Sequence, residues 1–383
     1  MTLDRGGIVL QYRRFGNTGV EISALGFGAM RLPEIEENGD FRIDEDQALA
    51  AITRAFELGV NYIDTAYGYC HGNSEIVVGK ALKGWRDRVY LSTKMPTWMV
   101  KAKADYRRLL EEQLQKLDVD YIDFYHFHAL NQDRFDNIVL KYDLLDEAQK
   151  AKDEGLIKHI SFSFHDDPEV LKRLVDVGIF SSLLCQYNLL DRANEEAIAY
   201  AHAKGLGVVI MGPVAGGRLA ASSKGIQELL AGRTVSTPDL ALRFVLANSN
   251  VSCALSGMSN IDMVEENVQT ASLETHLTDD ELKRIKVALE ENQRLAELYC
   301  TGCDYCMPCP HEINIPLNFR LMNYHRVYGL TEYARGEYRK IGTTEQLTGR
   351  KAEECLECGL CEDKCPQKIQ IRKQLKETAA ALG

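Results

Sequence analysis

Between about residues 20 and 270, short apolar runs rich in β-branched and aromatic residues alternate with longer stretches in which apolar positions recur every three or four residues. The first pattern predicts buried strands and the second amphipathic helices. Eight strands are expected, over 22–30, 60–66, 88–94, 121–128, 157–163, 182–188, 207–212 and 251–257. Stretches such as 44–59 and 103–118 supply the helices between them. Start signals agree: Asp44 with Gln47 resembles a capping box, and Thr237 before Pro238 is expected as an N-cap followed by an N1 proline. Eight strand–helix units in this length predict a (β/α)8 TIM barrel, with a doubly wound open sheet as the alternative. The junction GFGAMRLP after the first strand lacks full Gly-x-Gly-x-x-Gly spacing, which counts against the open sheet. In a barrel, chemistry is expected where the strands end.

Past residue 275 the pattern changes. Thr278 and Glu281 form a second capping box opening a highly charged helix, and a cysteine-rich segment follows. The expected organisation is a barrel over 11–275, a connecting helix over 276–299 and a C-terminal domain over 300–383. Of the 383 residues 45% are hydrophobic and 26% charged, as in an ordinary globular protein. The net charge of −11 disfavours non-specific nucleic-acid binding. Residues 300–383 hold 12 bases and 11 acids, so the acidic excess belongs to the preceding chain. With neither a signal peptide nor an apolar run of membrane-spanning length, a cytoplasmic location without membrane attachment is expected.

Eight of the eleven cysteines fall between Cys300 and Cys365. They form two runs, Cys300, Cys303, Cys306, Cys309 and Cys355, Cys358, Cys361, Cys365, each ending in Cys-Pro. The second has the C-x2-C-x2-C-x3-C-P spacing of bacterial ferredoxins, in which three neighbouring thiolates hold one [4Fe-4S] cube and the fourth reaches another. The first run is one residue shorter before its last cysteine. By analogy with ferredoxins, Cys300, Cys303, Cys306 and Cys365 hold one cluster and Cys309, Cys355, Cys358 and Cys361 the other. Two four-cysteine zinc sites are the alternative. The 45-residue insertion between the runs has helical patterning and apolar residues such as Leu317, Phe319, Leu321 and Met322, resembling a mainly α-helical two-cluster ferredoxin module. Cys185 and Cys253 lie within strands and are expected in the core; Cys70 is expected to be a packed thiol.

In the barrel segment, Asp64 ends the second expected strand, Tyr69 lies five residues on in a loop, Lys94 ends the third and His128 the fourth. Carbonyl reduction by hydride transfer needs a proton donor at the developing alkoxide. A tyrosine serves when a cation eases loss of its proton. Lys94 would supply that charge, Asp64 would hold Lys94, and His128 would orient the carbonyl oxygen. His126, two residues before His128, shares its face and competes for that place.

With these four residues in order, residues 11–270 resemble the aldo-keto reductases, and the whole chain resembles a branch carrying a fused C-terminal ferredoxin-like segment. The resemblance implies that Asp64, Tyr69, Lys94 and His128 are the catalytic tetrad. It implies that Ser163 and Gln186 hold the nicotinamide carboxamide of NADP(H) or NAD(H), with Met211 where an aromatic often stacks. It also implies that Ser256, Gly257, Met258, Ser259, Asn260, Glu266 and Asn267 follow the cofactor's phosphates and adenosine. Phe164 and His165 depart from the family's asparagine after the serine, and Met263 replaces an arginine that often grips a 2′-phosphate. Hydride transfer moves two electrons and a cube ordinarily one, so the two modules need an intermediary. The reading is an NAD(P)-dependent oxidoreductase acting on a small carbonyl or alcohol and coupled through two [4Fe-4S] clusters to a redox partner protein or a flavin. The alternative is a redox-responsive electron carrier or nucleotide-binding protein without carbonyl turnover, its clusters structural or facing a partner.

Overall fold

The computed structural model describes residues 9–37, 40–215, 219, 236–297, 300, 306–344, 347–365 and 369–383. The chain opens with an antiparallel hairpin of β1 (Tyr12–Arg14) and β2 (Glu21–Ser23), followed by β3 (Leu25–Gly28) and a second hairpin, β4 (Glu34–Glu37) with β5 (Asp40–Ile43). Seven parallel strands follow: β6 (Tyr62–Asp64), β7 (Tyr90–Met95), β8 (Ile122–Leu130), β9 (Ile157–Phe164), β10 (Ser182–Gln186), β11 (Gly207–Met211) and β12 (Cys253–Ser256). Strands β3 and β6 to β12 close a barrel in sequence order, with β12 pairing β3. Closure excludes the open sheet, and each expected strand has its counterpart.

The first expected strand, 22–30, divides. Ser23 turns the chain from hairpin to barrel, its hydroxyl donating to the Leu25 carbonyl at 2.6 Å and its N–H to Asn61 Oδ1 at 2.7 Å. The hairpin plugs the N-terminal end of the barrel. Phe15 lies edge-on to Phe124 at 4.7 Å and to Tyr62 at 5.8 Å, in an apolar cluster with Ile22, Leu184, Val209 and Cys253. Gly207 leaves room for that ring; a Cβ there would stand 2.2 Å from Phe15. Cys185 and Cys253 are fully buried, as expected. With one end filled by apolar side chains, polar groups inside the barrel collect towards the other end.

Caps follow the sequence with one correction. Asp44 accepts from the Gln47 N–H at 3.1 Å, and Thr278 and Glu281 make a reciprocal box at 2.8 and 3.3 Å. The helix Thr237–Leu246 is capped instead by Ser236, whose hydroxyl accepts from the Asp239 N–H at 3.2 Å. Thr237 is thus already helical, with Pro238 one position later than expected.

The chain divides into two compact units, one taking in the barrel through Ala215 together with Ala241–Leu277, the other taking in Thr278–Gly383. The helix expected as a connector, Asp279–Glu297, therefore groups with the C-terminal unit. That unit packs the helices Ile315–Arg326, Thr331–Lys340 and Ile371–Leu382 round a core containing Leu317, Phe319, Leu321 and Met322. Asn314 caps the first of these, accepting from the Leu317 N–H at 3.2 Å. Among the described residues no helix is long and apolar enough to cross a membrane.

Candidate active site

Asp64, Tyr69, Lys94 and His128 come together at the C-terminal rim. Asp64 and Lys94 end neighbouring strands and are both 1% exposed. Lys94 Nζ donates to Asp64 Oδ1 and, at 2.7 Å, to the Thr65 carbonyl, while the Ser92 hydroxyl holds Asp64 Oδ2 at 2.7 Å. A buried ammonium is costly unless paired and hydrogen-bonded, and these contacts supply both conditions. Burial opposes the charge on Lys94, but Asp64 and Tyr69 raise its pKa above the ordinary lysine value. Lys94 Nζ lies 4.7 Å from the centre of the Tyr69 ring. Burial raises the Tyr69 phenol; Lys94 pulls it back down.

Tyr69 opens a tight turn in which Cys70 and His71 adopt left-handed backbone angles, φ 49° and 56°. The Cys70 thiol is packed, pointing at the Met30 carbonyl 3.6 Å away, with its pKa raised by burial. His128 sets its ring edge-on to Tyr69 at 6.1 Å. The β8 strand bulges just after it: Ala129 takes φ 53°, its N–H donates to Ser163 Oγ at 2.7 Å, and its carbonyl accepts from Arg134 Nη1 at 2.8 Å. Burial first, then Lys94, holds the His128 pKa down at about 2, so the imidazole is neutral. His126 is buried one layer deeper, opposite Lys94 in register. Of the two histidines, His128 is the one against Tyr69.

The other expected contacts form an arc along the ends of β9 to β12. Gln186 Nε2 donates to Asp191 at 2.7 Å, Met211 is half-buried at the end of β11, and Ser256 Oγ accepts from Asn267 Nδ2 at 3.1 Å. Asn260 caps the helix Ile261–Ala271 by accepting from the Met263 N–H at 2.9 Å. Ser259 donates to the Met263 sulfur at 3.4 Å, and Glu266 is exposed on that helix. Met258 is fully buried, so its side chain belongs to the core, and its neighbour Gly257 faces the Arg31 stem. Short polar side chains at strand ends beside a helix N-terminus suit an anionic dinucleotide. Ser92 was not singled out in the sequence. Its signal is its place two residues before Lys94, on the same face of the strand.

A model of the family described as aldo/keto reductase matches residues 24–290. This chain belongs to the aldo/keto reductase family. It is an oxidoreductase enzyme, 31% identical over 316 residues to L-galactose dehydrogenase of Arabidopsis thaliana, a match covering 75% of this chain and 96% of that one. Among solved structures, the holo form of an aldo-keto reductase from Bacillus halodurans is 30% identical with a TM-score of 0.63, over 73% of this chain and 96% of that one. An aldo/keto reductase from Klebsiella pneumoniae, solved with NADP and acetate, is 27% identical with a TM-score of 0.60, over 73% of this chain and 95% of the other.

In this chain a second model, a 4Fe-4S dicluster domain, matches residues 299–369. Within the C-terminal unit, Cys306, Cys309, Cys355, Cys358 and Cys361 line a cavity of about 400 Å³, with Pro308, Ile313, Leu356 and Leu360 among its walls. Cys365 is 8% exposed and packs in the core of the unit, against which Cys300, Cys306, Cys309, Cys355 and Cys361 also lie. Cys303 lies outside the described residues. Among those described, no three cysteine, histidine or carboxylate side chains close on one point as a single metal ion requires. Five thiols stand round the cavity, enough to give a cube one thiolate at each iron.

Proposed function

We propose that the protein is an NAD(P)-dependent carbonyl reductase or alcohol dehydrogenase whose C-terminal domain carries two [4Fe-4S] clusters. The observation that carries the first part is the buried Asp64–Lys94 pair beneath Tyr69, with a neutral His128 alongside. A bound nicotinamide nucleotide supplies or accepts the hydride. Tyr69 gives its phenolic proton to the carbonyl oxygen, or takes it back in alcohol oxidation, and Lys94 lowers the cost of the resulting phenolate. Asp64 and Ser92 fix Lys94. The neutral His128 imidazole donates to the oxygen and orients it without competing for the proton. Ser163 and Gln186 hold the carboxamide; Asn260, Ser256 and Asn267 face the phosphates.

For the second part, the cavity lined by Cys306, Cys309, Cys355, Cys358 and Cys361 supports one cluster; on the ferredoxin analogy Cys309 joins Cys355, Cys358 and Cys361, and Cys300, Cys303, Cys306 and Cys365 hold the other. The clusters transfer single electrons to a redox partner or flavin. The test is anaerobic purification with iron and sulfide counts, followed by titration with NADH and NADPH and carbonyl turnover. About eight irons, nucleotide binding and a loss of at least about 100-fold in kcat for Tyr69→Phe are expected. Turnover undiminished in Tyr69→Phe would remove the tyrosine from its role.

A further inference from the structure

The loop after β8 carries a feature the proton-transfer chemistry does not use. Arg134 sits in the short turn Gln132–Arg134, capped by Asn131, whose Oδ1 accepts the Arg134 N–H at 2.7 Å. Its guanidinium spends one Nη1–H on the Ala129 carbonyl and lies 5.6 Å from the centre of the Trp98 ring. Trp98 is 49% exposed and stands 5.0 Å from the His128 ring. The two ring spacings together bound the distance from His128 to the guanidinium. Several arginines of the barrel have carboxylate partners: Arg54 with Glu265, Arg86 with Asp123, Arg107 with Glu154, Arg173 with Asp136. Among the described residues Arg134 has no such partner, and Lys94 is already matched by Asp64.

We propose that Arg134, braced against Trp98 beside His128, binds a carboxylate of the substrate, so that the enzyme acts on short carbonyl compounds that also bear a carboxylate. This rests on the reading of Tyr69 and His128 given above. Guanidinium presents two parallel N–H groups to a carboxylate, and with one already fixed on Ala129 the fork loses little freedom on binding. Trp98 supplies an apolar wall for the carbon chain between the two ends. Burial first, with the charge of Arg134 contributing, keeps both His128 and His165 neutral, so neither histidine attracts the carboxylate away. The carbonyl carbon takes a hydride from the reduced nucleotide, the carbonyl oxygen takes the Tyr69 proton, and the carboxylate is unchanged.

The experiment compares succinic semialdehyde with butanal, which lacks the acid, in the iron-loaded full chain, with Arg134→Gln and Arg134→Lys as variants. The ratio of kcat/KM for acid over neutral aldehyde is the readout, because partial loss of folded enzyme cancels in it. Wild type is expected to favour the acid, with KM for the acid rising with salt. Arg134→Gln should lower the ratio roughly 10- to 100-fold, the range of one charge-assisted pair, and Arg134→Lys should recover part of it. An unchanged ratio in Arg134→Gln, or no preference for the acid in wild type, overturns the proposal while leaving the reductase reading standing. Absence of turnover with both aldehydes, in a wild type that binds nucleotide, overturns both.

Discussion

His126 and His128 lie on one face of β8, and burial followed by the Lys94 charge keeps both neutral. His126 is wholly buried, and burial followed by the nearby Lys94 charge holds its pKa down at about 3. Below the unfolded value near 6.5 the unfolded chain binds a proton that the native state refuses, so stability rises with pH and falls as acid is added. The window runs from about 6.5 down to about 3, at up to about 1.4 kcal/mol per pH unit for this one group. Urea midpoints between pH 7 and 5, followed by tryptophan fluorescence, test this; the only tryptophans, Trp85 and Trp98, are both in the barrel. His126→Leu should flatten the acid slope, and parallel curves would count against it. Turnover should likewise show no histidine inflection near pH 6.5, because His128 stays neutral down to about pH 2. At this scale the sequence pointed to Asp64, Tyr69, Lys94 and His128, since each ends a recognisable strand or lies in the loop after it, and the structure brings the four together. It did not separate His126 from His128, because residues two apart share a face and only depth in the barrel distinguishes them.

Among the elements, the helix Ser74–Leu82 shows packing overriding propensity. Gly79 lies inside it, where alanine would favour the helix by about 1 kcal/mol. A Cβ at Gly79 would nonetheless stand 2.3 Å from the Leu117 carbonyl at the end of the helix Asp105–Leu117. Gly79→Ala is therefore expected to destabilise by about 1–3 kcal/mol. Gly336, in the helix Thr331–Lys340, meets nothing within 4 Å, and Gly336→Ala should be neutral or stabilising. Thermal unfolding followed by circular dichroism separates the two; equal shifts would show that the backbone contact at Gly79 relaxes freely. The barrel strands were legible because burial on both faces makes them continuous apolar runs. The hairpins were not: Tyr12–Arg14 is polar and three residues long, and its partner owes its place to Phe15 filling the barrel end. Short paired segments held by tertiary contact leave little periodicity to read.

For the molecule as a whole, the eight C-terminal cysteines test the division of clusters. Cys309→Ser should lose the same EPR signal as Cys358→Ser, each leaving about four irons, while Cys365→Ser loses the other signal. Loss of one signal in both Cys309→Ser and Cys365→Ser would refute the crossed assignment. Sequence by itself determined the repeating strand–helix units, the order of Asp64, Tyr69, Lys94 and His128, and the number and spacing of thiols in the C-terminal runs. These are local matters of periodicity, side-chain chemistry and spacing. Tertiary structure decided which side chains meet: that β12 pairs β3, that Cys306 and Cys309 join the cavity of the later run, that Ser92 holds the Asp64 carboxylate paired with Lys94, and that Arg134 stands near His128 through Trp98. Each of these contacts joins residues from different strands, loops or turns. Their meeting depends on barrel closure and on how the rim loops fold back, which local pattern does not encode.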